Sequence, residues 1–201
     1  MSPIEYFNSL GLFEVPAILA HCVVLSNKDM DIMADKNVSV AHNPGSNLKL
    51  ASGIAPIPQL LDKGVNVAMG TDGNGSNNNL DMFRELYLCS VLHKGANRNA
   101  TAVSAKEALS IATVNGAKAL GYKGGVLKAG SVADVIMLKK SVTLYPEHDL
   151  FGIICYSAGA KDVDINIVNG RIVVKDGKCQ TVNRDSLINE FLRRTEKLFA
   201  N

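Results

Sequence analysis

The chain has 201 residues, of which 47% are hydrophobic and 20% charged, and a formal net charge of +2. These values are typical of a soluble globular protein and favour neither nucleic acid nor an anionic membrane as a partner. No apolar run is long enough to cross a bilayer and no signal peptide precedes the first strand, so we expect a cytoplasmic protein. Its four cysteines form no CxxC pair, which predicts reduced, buried thiols.

The first part of the chain repeats one pattern three times: an apolar run, a polar residue at its end, and then a helix. In the first repeat the apolar run is 15–20, the polar residue is His21 and the helix is 26–35. The second repeat has the run 38–41, His42 and the helix 57–63, and the third has the run 65–69, Asp72 and the helix 80–94. Such βα units predict parallel strands joined by crossover helices. The polar residues all follow strands, which is the edge where α/β proteins build their sites.

Short-range signals predict where these helices begin and end. Ser26 or Asn27 can cap the first helix, and Gly64 lies where the second should end. The asparagines 77–79 are candidate caps for the third helix.

The character of the chain changes after residue 125. A capping box at 104–107 opens an alanine-rich helix that should run to about residue 120. Beyond it we predict antiparallel strands, a two-residue turn at Asn169-Gly170 and a closing amphipathic helix. The strands are predicted over 130–138, 163–168 and 171–175, and the helix over 185–199.

Asp72 carries the most specific chemical signal of the sequence. It lies between Gly70 and Gly73 at the end of a strand, where a carboxylate suits a metal ligand or a general base. The alternative is a plain turn, because Asp-Gly is common in turns. Neither of the glycine-rich phosphate-binding motifs is present, so nucleotide binding is not expected.

Two histidines follow the neighbouring strands. His21 could polarise a bound water or shuttle a proton at the same edge as Asp72, or it could be a packed or capping residue. His42 opens a segment, 42–50, that we predict to be a polar loop. In it Ser46 or Asn47 would contact a substrate or hold His42 toward the site, or the loop would merely order the edge. The remaining histidines, His93 and His148, show no partner pattern and are not expected to be functional.

Taken together, the segments 21–23, 42–53 and 70–73 resemble the amidohydrolase superfamily. The resemblance is to the branch of S-adenosylhomocysteine and methylthioadenosine deaminases and chlorohydrolase-like enzymes, and 125–134 and 169–171 extend it. It implies an α/β fold in which 1–125 is the C-terminal portion of a (β/α)8 TIM barrel, about strands 6–8. Residues 126–201 would then be the C-terminal part of a composite β-sandwich with a terminal helix.

The resemblance also implies a divalent metal, zinc or iron, and roles for particular residues. His21 matches the histidine after strand 6, and Asp72 matches the aspartate that binds the metal after strand 8. Asp72 would also take a proton from the attacking water, and His21 would hydrogen-bond that water. His42, Ser46 and Asn47 are the expected substrate-binding residues.

The rest of the family's metal ligands lie upstream of strand 6, where this sequence begins. We therefore expect a C-terminal fragment that is inactive alone and belongs to a hydrolase of C–N or C–Cl bonds in purine-like or other N-heterocyclic molecules. The alternatives are a half-enzyme that assembles with a separate N-terminal half, and a binding or scaffold module without chemistry. Because open sheet edges invite pairing, self-association or a partner is expected.

Overall fold

The computed structural model describes residues 1–200 and divides the chain into two compact units. Unit 1 comprises Met1–Ser131 and Ser141–Ala160. Unit 2 comprises Val132–Lys140 and the residues from 161 onward. The domain boundary predicted at residue 125 stays a prediction.

Unit 1 is built on a parallel sheet of three strands in the order β1-β2-β3. The strands are β1 (Ile18–Ala20), β2 (Ser39–His42) and β3 (Asn66–Met69). Both neighbouring pairs are parallel, so the predicted βα units and the α/β fold class are confirmed. The three strands form an open sheet, and no closed barrel exists within residues 1–200.

Nine α-helical segments belong to the described part of unit 1. They are α1 (Pro3–Ser9), α2 (Asn27–Asp35), α3 (Pro44–Lys49), α4 (Ile57–Asp62), α5 (Asn74–Asn77), α6 (Met82–Asn97), α7 (Ala105–Ala112), α8 (Val114–Ala119) and α9 (Leu150–Gly152). A π-helical turn, Ile153–Ser157, continues α9, and 3-10 turns occupy Val142–Leu144 and Ala160–Asp162.

The local signals for helix ends hold for α2, α4 and α7. Ser26 caps α2 through a reciprocal box, in which its hydroxyl accepts from the Asp29 N–H and the Asp29 carboxylate accepts from the Ser26 N–H. Ser104 and Glu107 form the same box at α7. Gly64 follows α4 with φ +77°, a left-handed conformation that glycine adopts without steric cost.

Two predicted helix boundaries were wrong. The helix α6 is capped by Asp81, whose carboxylate accepts from the Phe83 N–H at 2.9 Å, whereas Asn77 belongs to the separate helix α5. The helix predicted over 104–120 is broken at Thr113, where φ is −128° and ψ is −90°. The Thr113 hydroxyl donates to the Leu109 carbonyl at 2.6 Å, a side-chain bond that competes with the regular helix pattern.

The prediction of a polar loop over 42–50 was also wrong, since Pro44–Lys49 forms the helix α3. Pro44 occupies the first position, where its fixed φ suits a helix and its missing N–H is not needed. No side chain of the adjacent sequence caps α3. Instead the Gly45 N–H donates to the carboxyl group of Glu85 in α6 at 2.8 Å, a long-range partner that the local sequence does not reveal.

The hydrophobic core of the described chain lies in unit 1. The helices α4, α7 and α8 pack on β3, and α3 packs on α6. Side chains from the sheet and from helices including α2, α4 and α7 are completely or almost completely buried. Examples are Met33, Val40, Ile57, Leu60, Val67 and Ile111.

Unit 2 contains an antiparallel sheet in the order β4-β5-β6-β7 and the helix α10 (Arg184–Phe199), as the sequence predicts. Asn169 and Gly170 form the tight turn between β5 and β6 with φ of +48° and +77°. The helix α10 has no buried side chain. The strands are β4 (Val135–Leu138), β5 (Val163–Val168), β6 (Arg171–Lys175) and β7 (Lys178–Cys179).

The described residues bear on two further expectations from composition. No helix among them is both long and apolar enough to span a bilayer. All four cysteines are free thiols, and Cys89 and Cys155 are buried as predicted. Cys22 is half-buried and Cys179 is exposed.

Candidate functional site

The carboxyl ends of the three parallel strands bring several polar residues to one edge of the sheet. His21 directly follows β1, and its backbone N–H donates to the Ala41 carbonyl of β2 at 3.0 Å. The Gly70 N–H likewise donates to the His42 carbonyl at 2.9 Å. These bonds extend the strand pairing past the ends of β1 and β3, so the segments that carry His21 and Asp72 leave the sheet at the same edge, one on each side of β2.

The carboxylate of Asp72 accepts three hydrogen bonds at this edge. The Ser46 hydroxyl donates to Oδ2 at 2.6 Å, the Ser76 hydroxyl donates to the same oxygen at 2.7 Å, and the Gly73 N–H donates to Oδ1 at 2.7 Å. The Ser46 bond, followed by those from Ser76 and Gly73, lowers the pKa of Asp72 to about 2. Asp72 is therefore an exposed, ionised carboxylate near neutral pH, held in place by its neighbours.

His21 lies beside Asp72 and is oriented by Asn47. Its Nε2 atom is 3.9 Å from Asp72 Oδ2, and its Nδ1 atom is 2.8 Å from Asn47 Oδ1. Because an amide oxygen only accepts hydrogen bonds, this contact places the proton of the neutral ring on Nδ1 and the lone pair on Nε2. The side chain of Asn47 is buried, so it fixes both the ring orientation and the tautomer of His21.

The backbone at this edge adopts unusual conformations. His21, Cys22 and Asp72 have φ of +68°, +48° and +58°. Residues other than glycine rarely occupy this left-handed region, although histidine and aspartate do so more often than most. Such conformations are often found at functional sites, where the surrounding structure holds them in place.

Gly70 is required at the end of β3 by a close approach of Asn43. A Cβ atom at position 70 would overlap the Asn43 side-chain oxygen, while the Asn43 amide donates to the Ala41 carbonyl at 2.9 Å. Gly70, two residues before Asp72, thus leaves room for the side chain of Asn43.

The structure buries the ring of His42 completely in the interior. Its ring faces His93 of α6, with 3.3 Å between the two Nε2 atoms. Burial lowers the pKa of His42 to about 3 and that of His93 to about 4, so both rings are neutral near pH 7. Ser46 and Asn47 hold Asp72 and His21 and do not hold His42. The substrate-binding roles given to these three residues stay predictions.

One buried polar face of α6 was not predicted from the sequence. Glu85, Cys89 and His93 of α6 are all fully buried. They are spaced four residues apart, so they share one face of a helix, and this spacing was a signal in the sequence. The contacts of Ser76 and Asn77 of α5 were also not predicted, although their partners Asp72 and Glu85 lie only four and eight residues away.

The residues present fit only a part of a metal site. Asp72 offers an ionised carboxylate, a ligand type that zinc accepts, and an imidazole lies beside it. Within residues 1–200, no three histidine, cysteine or acidic side chains come together in a way that could hold a metal ion.

Comparison with known families and curated proteins supports the resemblance seen in the sequence. The model of the Amidohydrolase family matches residues 1–173. A 5-methylthioadenosine/S-adenosylhomocysteine deaminase of Dictyoglomus thermophilum is 44% identical over 98% of this chain and 47% of its own length. A 5'-deoxyadenosine deaminase of Methanocaldococcus jannaschii is 48% identical over 93% of this chain and 45% of its own length. The chain therefore spans about half the length of these relatives.

Solved structures share the fold over nearly the whole chain. An adenosine deaminase from Xanthomonas campestris with bound zinc superposes with a TM-score of 0.94, at 31% identity, over 100% of this chain and 46% of that one. An atrazine chlorohydrolase from Arthrobacter aurescens complexed with zinc gives a TM-score of 0.86 at 28% identity, over 96% and 44% of the respective chains.

Proposed function

Because this chain belongs to the amidohydrolase family, we propose that it forms one side of the active site of a deaminase acting on adenosine-like molecules. In this reaction water adds to a purine ring carbon, the C–N bond to the amino group breaks, and ammonia leaves. The observation that carries the proposal is the convergence of His21, Ser46, Asn47 and Asp72 at the carboxyl edge of the sheet. Deamination is favoured over C–Cl cleavage because the curated relatives are deaminases at 44% and 48% identity, whereas the chlorohydrolase is 28% identical.

Asp72 is the residue of this chain that would hold a divalent metal, zinc or iron. Such an ion, when bound, lowers the pKa of a coordinated water toward neutrality. The Ser46 and Ser76 hydroxyls keep Asp72 ionised and fix the direction of Oδ2. The carboxylate is thereby oriented before any ligand arrives, which avoids a reorganisation cost at the moment of reaction.

His21 would hold or move a proton beside Asp72. With its Nδ1–H donated to Asn47, it presents the lone pair of Nε2 toward the same space that Asp72 Oδ2 faces. A water placed between these two atoms could donate a proton to either. Asn47 supports this role by excluding the other tautomer, so we assign Ser46 and Asn47 to positioning Asp72 and His21.

We further propose that the remaining ligands come from residues outside this sequence, on the same polypeptide or on another one. Asp72 and His21 by themselves make up a partial donor set, and the chain spans about half of its relatives. Under this proposal the 201-residue chain is inactive alone and gains activity when the missing half is supplied.

Complementation tests the proposal directly. The chain would be mixed with the separately produced N-terminal half of the Dictyoglomus thermophilum relative and zinc, and ammonia release from 5'-deoxyadenosine, methylthioadenosine and S-adenosylhomocysteine would be measured. We expect release only from the mixture. Asp72→Asn should abolish that activity, because a neutral amide is a poor metal ligand.

Ser110→Ala is the matched control, because Ser110 is a half-buried residue of α7 whose hydroxyl donates to the Lys106 carbonyl of its own helix. It should leave ammonia release unchanged, while Ser46→Ala lowers it. A mixture that forms a complex but releases no ammonia, or an Asp72→Asn mixture of undiminished activity, would refute the proposal.

A further inference from the structure

The carboxyl group of Glu85 is completely buried and faces two segments of the candidate site at once. It projects from α6 and touches neither Asp72 nor His21 in any hydrogen bond of the described structure. Its two oxygens instead bond to different segments, one of which carries Ser46 and Asn47 and the other of which leads to Asp72. A buried acid that would be costly to leave without partners is thus shared between the two halves of the site.

The first contact fixes α3. Glu85 Oε2 accepts from the Gly45 N–H at 2.8 Å, and Gly45 directly precedes the residues that bond to Asp72 and His21. Any side chain at position 45 would collide with this arrangement, because a Cβ there would overlap Glu85 Oε1 and lie 3.0 Å from the Asn77 amide. The glycine is therefore needed for the carboxyl group to reach the backbone of α3.

The second contact fixes the segment after β3. Glu85 Oε1 accepts from Asn77 Nδ2 at 2.9 Å, and the same amide nitrogen donates to the Thr71 carbonyl at 2.7 Å. Thr71 directly precedes Asp72. Asn77 is itself buried, so the path from Glu85 through Asn77 to the backbone at Thr71 is shielded from water.

We propose that Glu85 is a positioning residue that sets the distance between Asp72 and the Ser46–Asn47 pair. It does so by holding the backbone on both sides, at Gly45 and, through Asn77, at Thr71. Its catalytic meaning rests on the deaminase function proposed above, whereas the positioning itself is a property of this chain. Catalytic groups must be held within about 0.5 Å of their productive geometry by such supporting contacts.

The chemistry of the side chain explains why a carboxyl group is needed. Both contacts are N–H donors, and an ionised carboxyl group can accept on both oxygens. Glutamine has the same shape but only one acceptor, so one buried donor would be left without a partner. Hydrogen bonds in a buried network are strong, and unpaired groups there are correspondingly costly.

The test compares three variants of the full chain. Glu85→Gln removes one acceptor, and Asn77→Ala removes only the path to Thr71. Glu107→Gln is the matched control, because Glu107 also accepts from the N–H at a helix start but does so on its exposed surface at Ser104, within its own capping box.

Two NMR measurements report on the site without any substrate. Imidazole ¹⁵N shifts give the tautomer of His21, and amide exchange gives the protection of Gly73, whose N–H bonds to Asp72. In Asn77→Ala, Gly73 exchange should rise about tenfold relative to the amides of β2, a change equal to losing one hydrogen bond, while the His21 tautomer stays. In Glu85→Gln at least one of the two signals should change: either Gly73 exchanges faster, or a second tautomer of His21 is seen.

The proposal is overturned if both signals in the folded variants match those of Glu107→Gln. If Glu85→Gln does not fold, Asn77→Ala decides through the exchange of Gly73. General loss of stability would not imitate the expected result, because it would speed exchange in β2 equally and would leave the tautomer of the folded molecules alone. Since neither measurement involves turnover, failure here is separate from failure of the complementation experiment.

Discussion

The two units of the chain differ sharply in how they bury their side chains. Unit 1 buries an extensive apolar cluster and also a set of polar groups, including Glu85, His42 and His93. In the described part of unit 2, one residue, Asp162, is buried, and no apolar side chain is. The strands of unit 2 pair in a continuous antiparallel sheet, but the residues of β5 and β6 remain half-buried or exposed.

This difference shows that a sequence can form regular secondary structure without forming a packed interior. Hydrogen bonding and turn chemistry suffice to define the strands β5 and β6. Most of the free energy that stabilises a fold comes from burial, and that burial is concentrated in unit 1. Unit 1 can therefore support strained and polar residues at the candidate site, because the core surrounding them supplies the stability that they cost.

The strongest test of this contrast compares one buried and one exposed isoleucine, both inside helices. Ile111 of α7 is 1% exposed and Ile188 of α10 is 42% exposed. We expect Ile111→Ala to lower the free energy of unfolding by about 2–5 kcal/mol, and Ile188→Ala to change it by about 0.5 kcal/mol or less. Urea denaturation measures both. An equal cost at the two positions would break the contrast, since it would mean that α10 is packed in solution.

A second test uses pH, because all four histidines lie in unit 1. Burial lowers the pKa of His42 to about 3 and of His93 to about 4, whereas an unfolded histidine titrates near 6.5. Below pH 6.5 the unfolded chain therefore binds protons that the folded chain does not, and stability is lost as the pH falls toward 4. At pH 5.5 each ring should cost about 1.4 kcal/mol relative to pH 7.5.

Urea midpoints across this pH range measure the effect. His93→Gln should reduce the loss by about half, and the exposed His148→Gln serves as its control. A stability that stays constant between pH 7.5 and 5.5 would show that the two buried rings are not held neutral.

The smallest expected effect concerns two glycines with the same φ of +77°. Gly64 lies in unit 1 and Gly170 in unit 2, and a Cβ at either position would meet no atom within 4 Å. Alanine should therefore cost about 1 kcal/mol at each, from backbone strain alone. Amide exchange should show the loss in the unit that carries the substitution. Different losses of unfolding free energy at Gly64 and Gly170 would mean that interactions beyond the local backbone conformation contribute.

The features that the sequence predicts correctly are those set by neighbours along the chain. Ser26 and its partner Asp29 are three residues apart, and the Asn169-Gly170 turn needs only its own two residues. The parallel sheet follows from strands that alternate with helices. The position of His21 and Asp72 at one edge follows in turn from that topology, and the family resemblance supplied their proposed roles.

Two of the features that escaped prediction depend on partners far away in the sequence. The start of α3 is capped by Glu85, 40 residues from Gly45, and His42 meets His93 across 51 residues. Nothing within a few positions of Gly45 or His42 signals these contacts. A polar segment such as 42–50 therefore looks like a loop until the side chain that caps it is known.

The left-handed backbone at His21 and Asp72 has an evolutionary consequence. For folding alone, glycine would be the better residue at both positions, because it adopts such φ values without steric cost. If His21 and Asp72 have the roles proposed above, mutation to glycine there would raise stability and remove a side chain that the reaction uses, the trade-off common to functional sites. In a lineage freed from selection for catalysis, these two positions are where drift should first erase the record of the reaction.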